Sequence, residues 1–261
     1  MKTLVMKFGG AAFASIENFS KIAKIISARH QEFSQLIVVV SAMGKTTDEL
    51  IEMAYAVNPQ PPQREYDMLI SAGERISMAL LAMALANENI EAISFTGSQS
   101  GIITCSQHTN ALIIDVRPFR LIEALKENKI VIVAGFQGVS EKKEITTLGR
   151  GGSDTTAVAL GLALRAETVE FYKDVDGIYD HDPKTHSDCK NFSFLTYEDA
   201  LDIANQGAKV LHPRAIQLAA KNSLPLHVRS FISYNESPGT LIFCSNKARE
   251  QVPLYEETKI I

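Results

Sequence analysis

The chain has 261 residues, 46% hydrophobic and 21% charged, an ordinary globular composition for one large α/β domain or two joined lobes. A net charge of −4 argues against a broad basic face for nucleic acid, so an anionic ligand must be met by a few placed cations. Three dispersed cysteines, Cys105, Cys189 and Cys244, form no CxxC pair, which argues against a disulfide frame or structural zinc site and suits a reduced cytoplasmic protein.

In chain order, MKTLVMKFGG lacks a signal-peptide core and predicts a strand running into a glycine turn. SIENFSKIAKIISARH has helical periodicity, with Ser15 as its N-cap. LIVVVSAMG predicts a buried parallel strand, and TTDELIEMAYAV a helix. NPQPPQR is a surface loop, because its prolines break a helix. REYDMLISAGERISMALLAMALANEN predicts one longer helical region with Gly73 inside it. Its apolar stretch 76–86 is shorter than the roughly 20 residues that cross a bilayer, so no membrane partner is expected. IEAISFTG and KIVIVAGFQGVS are strand-like, with the helix RPFRLIEALKENK between them. The second half continues with a helix opened by Ser153, the strand ETVEFYKDVDG, one or two helices in TYEDALDIANQGAKVLHPRAIQLAAKN, and late strands LPLHVRSF and GTLIF. The stretch from Ser245 is polar and weakly patterned, a tail or connector. Strands alternating with helices predict an α/β fold: a three-layer αβα sandwich around a mainly parallel sheet.

Glycine turns follow the strands at KFGG, SAMGKTT, FQGV and GRGGSD. In open α/β sheets ligands bind where strand carboxyl ends meet helix N-termini, and such turns expose backbone N–H groups to anions. Neither standard phosphate cradle is present: Val39 stands where a P-loop needs its first glycine, and Asp154 where a dinucleotide fingerprint needs its third. Lys7 before Gly9 and Gly10 is either a point charge for phosphate oxygens or a surface lysine beside a turn. Asp154 either holds such a lysine or is a carboxylate stabilised by the helix dipole. His30, His108, His212 and His227 read as packing or surface residues.

The segments KFGG, VSAMGKTTDEL, SAGERISMALLA, GFQGV, TTLGRGGSDTTAVALGLAL, YKDVDGIYDHDP and GAKVLHPRA, in this order over residues 3 to about 243, resemble the aspartate kinase catalytic domains of the amino acid kinase family. The resemblance implies the amino acid kinase fold and transfer of the ATP γ-phosphoryl group to the β-carboxylate of L-aspartate. It implies a catalytic domain over 1–245, with an amino-acid lobe to about 140, a nucleotide lobe from about 141, and a tail over 246–261. It also implies a homodimer and Mg2+ arriving with ATP. ACT regulatory domains, common in the family, are not expected in this chain.

By the same resemblance Lys7 contacts the transferring phosphate, Asp154 orients Lys7, and Lys209 is a second phosphate-facing cation. Phe8, Gly9 and Gly10 belong to the phosphate turn. Arg150 takes the substrate α-carboxylate with a bidentate fork that lysine does not match. Glu74 pairs with the α-ammonium, and Ser41, Thr47 and Ser153 donate hydrogen bonds to carboxylate oxygens. Lys173, Asp174, Tyr179, Asp182, Pro183 and Lys184 embrace the nucleotide. No single metal ligand is assigned.

Ala11 and Ala12 stand where the family usually has Thr-Ser. Two lost hydroxyls at about 0.5–1.5 kcal/mol each predict slower rather than abolished catalysis. A kinase of another carboxylate substrate, and a nucleotide-binding regulatory homologue, remain open alternatives at this stage.

Overall fold

Strand β1 (Thr3–Phe8) is buried along its whole length, as a strand covered on both faces must be. The computed structural model describes residues 2–181, 188–208, 210–244 and 252–256. After β1 come a short 3-10 turn (Gly10–Phe13), α1 (Glu17–His30), β2 (Gln35–Val40), α2 (Thr46–Val57), α3 (Gln63–Ile70), α4 (Ala72–Asn87) and β3 (Ala92–Phe95). Next are β4 (Ile102–Thr104), β5 (Ile113–Val116), α5 (Phe119–Lys126), β6 (Ile130–Ala134), β7 (Gln137–Ser140), β8 (Ile145–Thr147), α6 (Gly152–Ala163) and β9 (Thr168–Lys173). The chain continues with β10 (Ile178–Tyr179), β11 (Asn191–Phe192), β12 (Phe194–Leu195), α7 (Tyr197–Asn205), α8 (Pro213–Asn222), β13 (Leu226–Ser230) and β14 (Thr240–Ile242).

The main sheet has eight strands in the order β12-β14-β13-β9-β1-β2-β6-β3. Neighbours from β13 to β3 run parallel, and the direction reverses between β13 and β14. Alternating side chains build two cores, as a period of two residues requires. Leu4, Met6, Phe8, Val38, Val40 and Ile132 face α1 and α4 on one side. Val5, Val39, Val133 and Phe171 face α6 on the other, with Ala157 to Leu160 against them. This is the expected αβα sandwich. Burial of Ile22, Ile25 and Ile26 of α1 stabilises its layer, and Ile22→Ala would cost about 2–5 kcal/mol.

Several elements differ from the expectation. The helical region around Gly73 turns at Ser71 and forms α3 and α4. Together, Gln63–Asn87 are long and apolar enough to cross a membrane by length and composition, because α3 extends the apolar span well beyond 76–86. Yet one face of α4 packs on α1, β3 and β6 and buries Glu74, Ser77, Leu81 and Leu85, while Ile76 and Met83 stay exposed. The N-cap of α1 is Ile16, not Ser15, whose hydroxyl instead meets the Glu17 carboxylate. KIVIVAGFQGVS is two strands in different sheets, because Phe136 adopts a left-handed φ of 70° between them. The second sheet, β5-β4-β7-β8, was not foreseen. Within the expected tail, Leu254 to Glu256 hydrogen-bond to α8 and β5.

Candidate active site

Strand β1 has neighbours on both sides, β2 after the α1 crossover and β9 after α6. The crevice beyond its carboxyl end is where this topology opens to a ligand. Lys7 occupies the next-to-last position of β1, in phase with Val5 and therefore on the α6 side. Asp154 sits in the first turn of α6. The Lys7 Nζ lies 2.6 Å from Asp154 Oδ1, and Lys173 Nζ, from the end of β9, lies 3.6 Å from Oδ2. One buried carboxylate thus holds two ammonium groups from adjacent strands.

The electrostatics follow from that sharing. Burial alone would raise Asp154, but Lys173, Lys7 and the backbone N–H of His212 outweigh it and hold the carboxyl at about 2. Burial lowers Lys173, Asp154 opposes the fall, Lys7 repels it, and the result is about 8. Among the described residues Asp154 is the carboxylate that contacts both ammonium groups, with Asp174 acting on Lys173 and Glu74 on Lys7 from farther away.

The loop after β2 closes over this floor. Ser41 N–H donates to Phe8 O at 3.2 Å, and Gly44 N–H to Gly10 O at 3.1 Å. A Cβ on Gly10 would stand 3.0 Å from Ala42 O, so the two loops pack with no room for a side chain. Gly73 permits the same approach from α4, since its Cβ would meet Ala42 Cβ at 2.7 Å. Glu74 follows, 3% exposed, with Oε1 accepting from Ala42 N–H at 3.1 Å and Oε2 without a partner. Burial raises its carboxyl to about 7, against the pull of its own and Ala42's N–H groups and of Lys7. An unpaired buried carboxylate oxygen near a lysine suits an incoming ammonium.

The Gly149–Gly152 turn opens α6. Gly149 and Gly151 have φ of 73° and 71°, a region that favours glycine. A Cβ on Gly151 would come within 2.1 Å of the His212 ring. Arg150, between them, is exposed, and among the described residues no carboxylate pairs with it. Ser153 is buried against Gly135, just after β6, in the first turn of α6, where a helix leaves N–H groups without intrahelical partners. Beneath the turn, buried Asp67 accepts from Thr147 Oγ1 at 2.5 Å and Thr109 N–H at 3.0 Å, and pairs with His108 Nδ1 at 2.7 Å.

Lys7, Gly9, Gly10, Glu74, Ser153, Asp154 and Lys173 thus line the strand ends around β1, with Arg150 at the mouth of α6. Ser41 and Thr47 are half-buried on the β2–α2 loop and first turn of α2. The Phe8 ring stacks on Tyr172 at 4.6 Å in the opposite core and its carbonyl accepts from Ser41 N–H, so its side chain orders the turn from beneath while its backbone leads into Gly9 and Gly10. Asp174 is exposed after β9, and half-buried Tyr179 pairs with Asn191 in the β10–β11 hairpin. Asp182, Pro183, Lys184 and Lys209 lie outside the described residues.

The role of His212 was missed. Its ring packs on Gly151, its Nδ1 accepts from Arg214 N–H, and its backbone N–H reaches Asp154. The only signal was the His-Pro step of GAKVLHPRA, where proline at N1 marks a helix start. The alanines also resolve differently: Ala11 is exposed, but Ala12 is fully buried beside Phe13. Position 11 therefore faces outward from the turn and position 12 inward.

A strand-end lysine steadied by a helix-mouth aspartate, inside a mainly parallel sheet with glycine turns and no P-loop, defines an α/β protein with a cationic crevice at its strand ends. The model of the amino acid kinase family matches residues 2–230, and the chain belongs to that family. It is 51% identical over 257 residues to an aspartokinase of Corynebacterium glutamicum, covering 98% of this chain and 60% of that one. In structure it is similar to the aspartate kinase from Synechocystis, with a TM-score of 0.86, 42% identity, and coverage of 98% of this chain and 42% of the other. E. coli aspartokinase III in complex with aspartate and ADP superposes with a TM-score of 0.84 at 26% identity, covering 94% of this chain and 65% of that one. The chain therefore spans about 60% of the length of curated relatives such as the Corynebacterium enzyme.

Proposed function

We propose that the chain catalyses ATP-dependent phosphorylation of the β-carboxylate of L-aspartate, giving 4-phospho-L-aspartate and ADP, the first step towards lysine, threonine and methionine. The observation that carries this reading is the Lys7–Asp154–Lys173 cluster, in which two ammonium groups share one carboxylate at the mouth of α6, with a half-satisfied buried Glu74 near Lys7 and, on the same turn, an Arg150 that pairs with no carboxylate among the described residues. The similarity to aspartokinases over nearly the whole chain supports the choice of substrate.

The aspartate β-carboxylate, with an ordinary pKa of about 3.9, is already ionised and needs no general base. Its oxygen forms a bond to the γ-phosphorus while the bond from that phosphorus to the β-phosphate oxygen breaks. The protein positions two anions in line and neutralises the charge that builds between them. Lys7 and Lys173 meet the phosphates, and Asp154 keeps both amines aimed at the crevice. Arg150 grips the α-carboxylate, Glu74 Oε2 accepts the α-ammonium, and Ser41, Thr47 and Ser153 donate to carboxylate oxygens. The amino acid is assigned mainly to the lobe up to about residue 140, and the nucleotide to the lobe over about 141–245.

Mg2+ accompanies the nucleotide in this reading. Both Asp154 oxygens are engaged by ammonium groups, and among the described residues no three His, Cys, Asp or Glu side chains cluster for a metal. That donor set suits an ion held by phosphates and water rather than by a protein cage. A cytoplasmic homodimer completes the proposal, supported by the free cysteines and by exposed Ile76 and Met83, a heptad apart on α4.

An ADP-release assay over a panel of amino acids tests the reading. ADP release is expected with L-aspartate and not with N-acetylated acids, which lack the ammonium that Glu74 needs. A protein that releases no ADP with aspartate, or that prefers an N-acyl acid, contradicts it.

A further inference from the structure

The turn that carries Arg150 is held from beneath by Arg214, on the first turn of α8. Arg214 Nη1 donates to Leu148 O, and Nη2 donates to Ala111 O at 2.6 Å. Glu256 takes the rest of the fork, accepting from Nε on Oε1 and from Nη2 on Oε2 at 2.7 Å. The pair is only 15% and 12% exposed. Glu256 is itself fixed to β5: Ile113 N–H donates to Oε2 at 2.8 Å, and Glu256 N–H donates to Ile113 O at 3.0 Å. Two residues earlier, Leu254 N–H donates to Asn222 Oδ1 and Leu254 O accepts from Asn222 Nδ2, both at 2.8 Å.

A turn with glycine at 149 and 151 has few steric limits of its own. Leu148 O lies immediately before it, and its bond from Arg214 fixes where the turn begins. Without Glu256 the guanidinium is a largely buried charge lacking its carboxylate, free to leave the two carbonyls. We propose that Glu256, acting through Arg214, is a positioning residue that sets the place of Arg150 and hence the affinity for the amino-acid substrate. This rests on the reading that Arg150 grips the substrate α-carboxylate, and it makes the segment over 252–256 a working part of the substrate site.

The test is Glu256→Ala and Glu256→Gln in the 261-residue chain, with initial rates over both substrates and hydrogen exchange of the amides at 149–153. Glu256→Ala is expected to raise the aspartate KM about tenfold, to leave the ATP KM and kcat within about threefold, and to speed exchange at 149–153. Glu256→Gln, which keeps the size and one acceptor oxygen, should recover part of each effect, and it carries the test if the alanine variant does not fold. Unchanged aspartate KM and unchanged exchange overturn the proposal. So does an equal loss for both substrates, which marks a general loosening of the fold. If the unmodified protein shows no activity with aspartate, the proposed reaction fails, while the exchange at 149–153 still decides whether Glu256 positions the turn.

Discussion

Lys7, near the end of the first strand, and Asp154, in the first turn of α6, meet at 2.6 Å with both side chains less than a tenth exposed. A buried pair of this kind is a costly way to add stability, because both charges leave water. Its geometry makes sense if the amine must be held, charged, where a second anion will arrive.

Lys7→Ala is expected to lower kcat by about a hundredfold or more while the aspartate KM changes little, because its charge is used chiefly as the phosphoryl group moves. Asp154→Asn should act on the same step by leaving Lys7 and Lys173 to repel each other. Steady-state kinetics of both variants check this, and near-normal turnover in Lys7→Ala would remove the residue from phosphoryl transfer.

Arg150→Lys should raise the aspartate KM about tenfold or more with kcat little changed, since an ammonium cannot reproduce the two parallel bonds of a guanidinium. A rise in the ATP KM instead would place Arg150 on the nucleotide.

The site should show two opposed pH dependences. Glu74 titrates at about 7, so the aspartate KM should fall as pH rises through that value and the carboxylate ionises. Lys173 titrates at about 8, so the ATP KM should climb above that pH as the amine loses its charge. A profile of both constants from pH 6 to 9 checks the pair, and Glu74→Gln should flatten the aspartate limb alone.

The same glutamate affects stability. Its folded pKa of about 7 exceeds the ordinary carboxyl value of 4.5, so the folded protein binds the extra proton between these values and loses stability as pH rises across that window. The loss is on the order of 3 kcal/mol by linkage. Asp154 is held below its ordinary value, so its contribution is lost only as pH falls towards 2. Thermal unfolding of the protein and Glu74→Gln at pH 5 and 7.5 should show a larger decline in the former.

Gly151→Ala combines a left-handed backbone with a Cβ driven into His212, and should cost about 2–4 kcal/mol. Adding His212→Ala should return part of that loss, an interaction a double-mutant cycle measures directly.

Much of this was legible in the sequence because it is local. The strand–turn steps at Gly9, Gly44 and Gly149 and the apolar run after Ser153 each announce themselves within a few residues. The resemblance carried Asp154 to Lys7 across the chain, and the structure places them together. What periodicity could not carry was choice of partner. Val133 and Val139 belong to one strand-like run, yet Phe136 turns the chain into a second sheet. Phe8 sits beside Lys7 in sequence but points to the other core, as strand alternation requires. His212 and Glu256 act through contacts with residues more than forty positions away, for which no short pattern exists.

The central claim is that Lys7 and Arg150 open onto one cleft shared by nucleotide and amino acid. A crystal structure with ADP and L-aspartate bound tests it most directly. The expected result is an aspartate with its α-carboxylate on Arg150, its ammonium on Glu74, and its β-carboxylate turned towards Lys7 and the end of the diphosphate. An aspartate bound elsewhere, or Lys7 and Arg150 facing separate ligands with protein between them, would contradict it.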